Sequence, residues 1–100
     1  MTVRIELVWE ASCPNVAAAR EVVRAALSAA GLPERWSEWQ IGVDALPERA
    51  RGFGSPTILV DGRDVADQAA SGADDCCRVY RTASGLRGVP AVEAVLARLS

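Results

Sequence analysis

The sequence predicts a single α/β domain: a small four-stranded mixed sheet in the order β-α-β-(short α)-β-β-α, with a long loop before the last helix. Three observations predict it. One hundred residues make one domain, because domains run ~100–200 residues and a second core does not fit. Apolar residues alternate in two stretches, which reads as strand, and recur with helical spacing in a third. An Asp-Gly pair then follows a β-branched run, the signature of a two-residue hairpin.

The elements follow in chain order. Val3 to Trp9 alternates, with Val3, Ile5, Leu7 and Trp9 on one face and Arg4, Glu6 and Val8 on the other. It reads as a strand with one well-buried face. Ala11 to Pro14 is a turn. Val16 to Ala30 is a helix whose apolar stripe runs through Val16, Ala19, Val22, Val23, Ala26, Leu27 and Ala30. Pro14 suits the first helical position and Gly31 the C-terminal cap. Trp36 to Val43 alternates again, with Trp39, Ile41 and Val43 on one face. Pro47 to Arg51 holds one short helical turn. Thr57 to Val60 is an apolar strand, and Asp61-Gly62 returns the chain as a short strand, Arg63 to Val65. Ala66 to Arg87 is long and irregular. Val92, Val95, Leu96 and Leu99 mark a closing helix with Pro90 near its start. The first three elements form a βαβ unit with parallel strands. The hairpin adds two antiparallel ones. Both long helices lie on one face, and the face bearing Arg4 and Glu6 is expected to be less covered.

Composition narrows the function. Half the residues are apolar and 24% are charged, an ordinary globular balance. The net charge is −2, with no basic patch of the kind nucleic-acid binders carry. No apolar run approaches the ~20 residues that span a bilayer. No secretory leader is recognised at the start, so a cytoplasmic location is expected. Histidine is absent, which removes Ser-His-Asp and Cys-His catalysis and every His-ligated metal site. Lysine is absent too, so Schiff-base chemistry and the P-loop lysine are excluded. The three cysteines are an odd number. In a chain without a secretion signal they favour a reactive thiol or a metal site over a disulfide framework.

Two short motifs carry chemistry. Ser12-Cys13-Pro14-Asn15 lies at the end of the first strand and the start of the first helix. A thiol at a helix N-terminus meets free backbone N–H groups and the positive end of the helix dipole, both of which favour the thiolate. Cys13 is equally a small core residue in kind, since free cysteine is often buried. Its place before a proline at a helix start favours reactivity. Gly54-Ser55-Pro56-Thr57 precedes the third strand, and a proline there suggests a tight, cis turn or a plain strand opening.

Together, in this order, the two motifs resemble the thioredoxin superfamily over nearly the whole chain. Cys13-Pro14-Asn15-Val16 stands where thioredoxins and glutaredoxins have C-x-x-C, in the Cys-Pro form of glutaredoxins. Ser55-Pro56-Thr57 resembles the cis-proline loop. More closely, the chain resembles small bacterial thioredoxin-like proteins labelled thioredoxin-family or DF-family (seleno)proteins. The shared segments are Cys13-Pro14, Gly54 to Thr57, Asp61 to Asp64, and Cys77-Arg78-Val79-Tyr80. The resemblance implies a thioredoxin-like fold and a redox class, and no particular substrate. Two departures limit it. Val16 replaces the second cysteine of the motif, so the C-x-x-C disulfide cannot form. No Gly-Gly segment is present, so glutathione binding is not implied.

Cys76-Cys77 is the third motif. The topology starts the Ala66–Arg87 loop at the sheet edge that carries Cys13. Loops beyond ~12–15 residues are uncommon in compact domains unless functional or disordered. The loop is therefore a candidate lid bearing a resolving thiol, against the alternative of an insertion with incidental cysteines. Five aspartates lie between Asp61 and Asp75 and disfavour thiolates at Cys76 and Cys77. Arg78 and Arg81, folded back, would favour one at Cys13. Cys13 is then the nucleophile and a loop cysteine resolves it. Cys77 is preferred to Cys76 because it matches the C-R-x-Y segment. Pro14, Ser55, Pro56, Thr57 and Arg78 are the expected substrate-binding residues.

The leading expectation is a thiol-disulfide oxidoreductase or thiol redox sensor. Its partner is a protein or low-molecular-weight thiol or disulfide. No cofactor, nucleic acid or membrane is expected, and the oligomeric state is left open. Two further classes remain. One is soft-metal or metalloid capture by Cys13, Cys76 and Cys77, although a closed zinc site wants a fourth ligand. The other is a thioredoxin-fold interaction module without chemistry.

Overall fold

The computed structural model describes residues 3–70, 72 and 78–99. The elements are β1 (Ile5–Trp9), α1 (Val16–Ala30), β2 (Ser37–Gln40), a 3₁₀ turn (Glu48–Ala50), β3 (Thr57–Val60), β4 (Arg63–Asp64), β5 (Tyr80–Thr82), β6 (Gly85–Arg87) and α2 (Val92–Leu99). The main sheet has four strands in the order β2-β1-β3-β4. β1 and β2 are parallel, with Leu7 opposite Glu38 and Val8 opposite Trp39. β3 is antiparallel to β1, pairing Leu7 with Ile58, and β4 is antiparallel to β3. The mixed sheet and the two helices follow the expected order.

The alternation along β1 sorts its residues between two cores. Ile5 and Leu7 join Ile58, Val60 and Val65 beneath Ala19, Val23, Ala26 and Leu27 of α1 and Val95 of α2. Leu7, Ile58, Leu59, Val23 and Val95 are wholly buried, and each buried side chain of this size stabilises by roughly 1.5–3 kcal/mol. The opposite face is not the sparsely covered one expected. Val8, Leu59 and Ala50 form a second core with Trp39, Ile41, Leu46 and Phe53. Glu6 points to this side and is only 1% exposed. The segment between β2 and β3 carries enough large apolar side chains to close that face without a long helix.

Four further boundaries differ from the sequence reading. β2 ends at Gln40, because the chain turns at Ile41–Val43 and the Gln40 N–H donates to Asp44 Oδ2 (2.7 Å). Val43, assigned to a buried face by alternation, is thereby 70% exposed. β4 stops at Asp64, and the first strand begins at Ile5. The loop before the last helix is not wholly irregular: Tyr80–Arg87 folds into a two-stranded ribbon, β5–β6, pairing Tyr80 with Arg87 and Arg81 with Leu86. Short strands separated by Ala-Ser lack the Asn-Gly or Asp-Gly signal that marks β3–β4. That β3–β4 turn has Asp61 at φ 51° and Gly62 at φ 81°, the positive pair a type I′ turn requires. α1 closes as its sequence suggested, with the Gly31 N–H on Ser28 O and the Leu32 N–H on Leu27 O, the Schellman pattern.

Candidate functional site

The β1–α1 connection is built from its own polar groups. The Cys13 N–H donates to Glu10 O (3.0 Å), and the Glu10 carboxylate accepts the Ser12 N–H (2.9 Å) and the Ser12 hydroxyl. α1 starts at Val16 with Asn15 as its N-cap residue. Cys13 therefore stands two residues ahead of the cap rather than at it, and Pro14 precedes the helix rather than opening it. The Asn15 side chain does not cap the helix. It lies over Gly88, so closely that a Cβ there would come within 2.2 Å of Asn15 Nδ2. Cys13 is a free thiol, 7% exposed, between the exposed residues Ser12 and Pro14.

The loop ahead of β3 meets this turn from the side. The Ser55–Pro56 peptide is cis, the form the sequence suggested. Ser55 is 1% exposed, and its hydroxyl accepts the Glu10 N–H (2.9 Å). That bond joins the proline loop to the connection carrying Cys13 across 45 residues of sequence. Thr57 is wholly buried and donates its hydroxyl to Gly54 O (2.6 Å).

Arg78 locks the loop from behind. Its N–H donates to Ser55 O (2.9 Å). Its guanidinium forms a two-pronged ion pair with Asp64, both contacts at 2.9 Å, and donates to Thr57 Oγ1 (3.0 Å). The pair is deeply set, with Arg78 10% and Asp64 0% exposed at the side chain. The guanidinium also lies 4.5 Å from the centre of the Tyr80 ring, within cation–π range. Tyr80 is buried and donates its hydroxyl to Pro56 O. Burial pulls the Arg78 pKa down, but the Asp64 hydrogen bond and the neighbouring Tyr80 and Asp64 charges outweigh it and leave the value raised. Tyr80 is raised above its ordinary value of 10, chiefly by burial, against the opposing charge of Arg78.

The structure thus brings together Ser55, Pro56, Thr57 and Arg78 in one buried polar knot, and ties it to the turn of Cys13 and Pro14. In place of a free cation turned toward the thiol, Arg78 is engaged by Asp64. Asp64 and Tyr80 complete the knot and were not singled out as site residues. Their signal was present in the D-G-R-D and C-R-x-Y segments, where a carboxylate and a guanidinium stand ready to pair. Cys76 and Cys77 lie outside the described residues. Arg78, the residue that follows them in sequence, is held at Ser55. Among the described residues no three acidic or cysteine side chains converge to hold a metal. None of their helices is long and apolar enough to cross a membrane.

No protein-family model, no curated protein and no solved structure matches the chain.

Proposed function

We propose that the chain is a thioredoxin-like thiol-disulfide oxidoreductase, or a thiol redox sensor of the same chemistry, with Cys13 as its nucleophile. The observation that carries this reading is the hydrogen bond from Glu10 N–H to Ser55 Oγ. It holds a cis-proline loop against the turn that carries Cys13, two residues ahead of the cap of the first helix. The order β-α-β-β-β-α of the two helices and the four strands of the main sheet supports it as well.

The exchange is a sulfur displacement. The Cys13 thiolate attacks one sulfur of a substrate disulfide and expels the other as a thiolate, leaving a mixed disulfide on Cys13. A second thiolate, from the Cys76–Cys77 segment, attacks Cys13 Sγ and releases the remaining substrate thiol. Two electrons pass to the substrate, and the protein keeps an internal disulfide that an external thiol must reduce. Val16 at the place of the motif's second cysteine is what requires the resolving thiol to come from elsewhere. Cys77 is taken for this role as the cysteine of the Cys77-Arg78-Val79-Tyr80 segment. In this reading Arg78, Asp64 and Tyr80 are positioning residues for the proline loop.

The test is a thiol map. Iodoacetamide at neutral pH is expected to label Cys13 faster than Cys76 or Cys77. Mild oxidation with a low-molecular-weight disulfide is expected to yield a Cys13–Cys77 cross-link on peptide mapping. A Cys13 that labels no faster than the loop cysteines and never cross-links overturns the reading.

A further inference from the structure

Among the described residues, six arginines are ion-paired: Arg4, Arg20, Arg24, Arg49, Arg78 and Arg98. Arg51 donates to Leu46 O. Arg81 and Arg87 are exposed and have neither an ion pair nor a hydrogen bond to their side chains among the described residues. Both border one groove of about 710 Å³, between the β5–β6 ribbon, Val22 of α1 and the start of α2. Its floor is apolar, from Val22, Val89 and Pro90. The one carboxylate on its rim is Glu93, in the first turn of α2, where an acidic side chain complements the helix end. Leu86, the cross-strand partner of Arg81, is 67% exposed beside it. The groove adjoins the candidate site, because Gly88, between β6 and α2, lies under Asn15, two residues from Cys13.

We propose that this groove is the docking site for an extended acidic and apolar segment of a protein partner, the one whose disulfide Cys13 exchanges with. The second clause rests on the thiol-exchange reading; the docking itself does not. Charge complementarity selects the occupant. In a chain of net charge −2, most arginines already face carboxylates, and two unmatched guanidinium groups over an apolar floor fit acidic side chains interleaved with aliphatic ones. A small inorganic anion would meet the arginines and leave the floor uncovered. A groove of this volume falls in the ~300–1,000 Å³ range of ligand-sized sites. Pairs of this kind at an exposed rim steer and orient a partner more than they bind it tightly.

The probe is a fluorescein-labelled decapeptide of alternating Glu and Val, without cysteine, titrated into the full chain at low salt and followed by anisotropy. Binding is expected, and is expected to weaken as salt rises. The R81E/R87E variant is expected to lose about tenfold or more in affinity, because two attractive contacts become repulsive. The R35E/R63E variant makes the same charge change at exposed arginines elsewhere, and is expected to bind within about twofold of the parent. Far-ultraviolet circular dichroism and an unchanged urea midpoint confirm that both variants are folded. Equal binding by R81E/R87E and R35E/R63E overturns the proposal. So does the absence of binding to the parent chain. Equal binding of a labelled oligo-dT of the same charge also overturns it, in favour of an unselective anion surface. The Cys13→Ser variant is expected to bind the peptide as the parent does. Docking that survives while Cys13 proves inert would sink the exchange reading and leave the groove assignment standing.

Discussion

At the scale of single residues, the buried Arg78–Asp64 pair is the most consequential polar contact in the molecule. Two charges out of water are tolerated because both terminal nitrogens of the guanidinium find acceptors and Tyr80 covers its face. Removing one partner leaves the other charged and unmatched. The Arg78→Met variant is expected to lose about 3–5 kcal/mol, a large part of the ~5–15 kcal/mol that holds a domain folded. The Arg78→Met/Asp64→Leu double variant is expected to recover much of that loss, since no buried charge remains. Urea unfolding of the three proteins checks it, and a double variant no more stable than R78M would contradict the account. Tyr80 offers a second reading of the same knot. It is the only tyrosine, and burial raises its pKa above 10. At about pH 11, where an ordinary tyrosine is mostly ionised, Tyr80 is expected to stay protonated while the chain is folded. Tyrosinate absorbance is expected to appear together with unfolding, and an ordinary titration curve in the folded chain would refute the burial argument. A neutral form favoured by folding stabilises below the unfolded pKa, so this contribution fades as pH rises past 10.

At the scale of elements, the proline loop is held from both sides. The residue after β1 reaches it through the Glu10 N–H, Tyr80 of β5 through its hydroxyl, and Arg78, just ahead of β5 and paired with Asp64 of β4, through its own N–H and guanidinium. The approach to it is also confined. Gly52 has φ 82°, and a Cβ there would come within 3.0 Å of Ala70 Cβ and 3.2 Å of Gly72 N. The Gly72 N–H donates to Gly52 O (3.0 Å), so the segment after β4 rests on the backbone before β3. Gly52→Ala meets both the left-handed backbone and the close neighbour, and is expected to cost at least about 1 kcal/mol. The Gly31→Ala variant has a left-handed φ but open space around it, so its midpoint is expected to fall less. A thermal unfolding comparison decides between them, and equal losses would show that crowding at Gly52 contributes nothing.

At the scale of the whole molecule, two carboxylates tie the layers together and set the response to acid. Glu6 is held below its ordinary value of 4.5, first by the Arg49 hydrogen bond, with burial opposing and Trp39 assisting. Glu38 is lowered mainly by Arg20, with burial opposing and Trp36 adding a hydrogen bond. The first bond joins β1 to the 3₁₀ turn and the second joins α1 to β2. A carboxylate whose folded pKa is depressed stabilises fully above the unfolded value, and the contribution drains away as pH falls from 4.5 toward the folded value. The Glu6→Gln variant is therefore expected to unfold at lower urea than the parent at pH 7. The gap is expected to narrow below pH 4.5. A gap that stays constant down to pH 3 would show that the Glu6 charge is not what stabilises.

The sequence by itself determined the order of the main-sheet strands and the two helices, because each rests on a local pattern: alternation in β1, the helical stripe of α1, and Asp61-Gly62 in its turn. It also put Cys13 and Pro56 at one edge of the sheet, since strand direction follows from the order of connections. What it could not determine depends on contacts distant in the chain. Alternation assigned Glu6 to an open face, and only the packing of Trp39, Ala50 and Leu59 around Val8 shows that face closed. Arg78 read as a free cation, and only tertiary structure brings it to Asp64, whose side chain takes up its charge. The β5–β6 ribbon stayed hidden because its strands are three residues each, too short for a period to be legible. Tyr80 anchors it by donating to Pro56 O, 24 residues away.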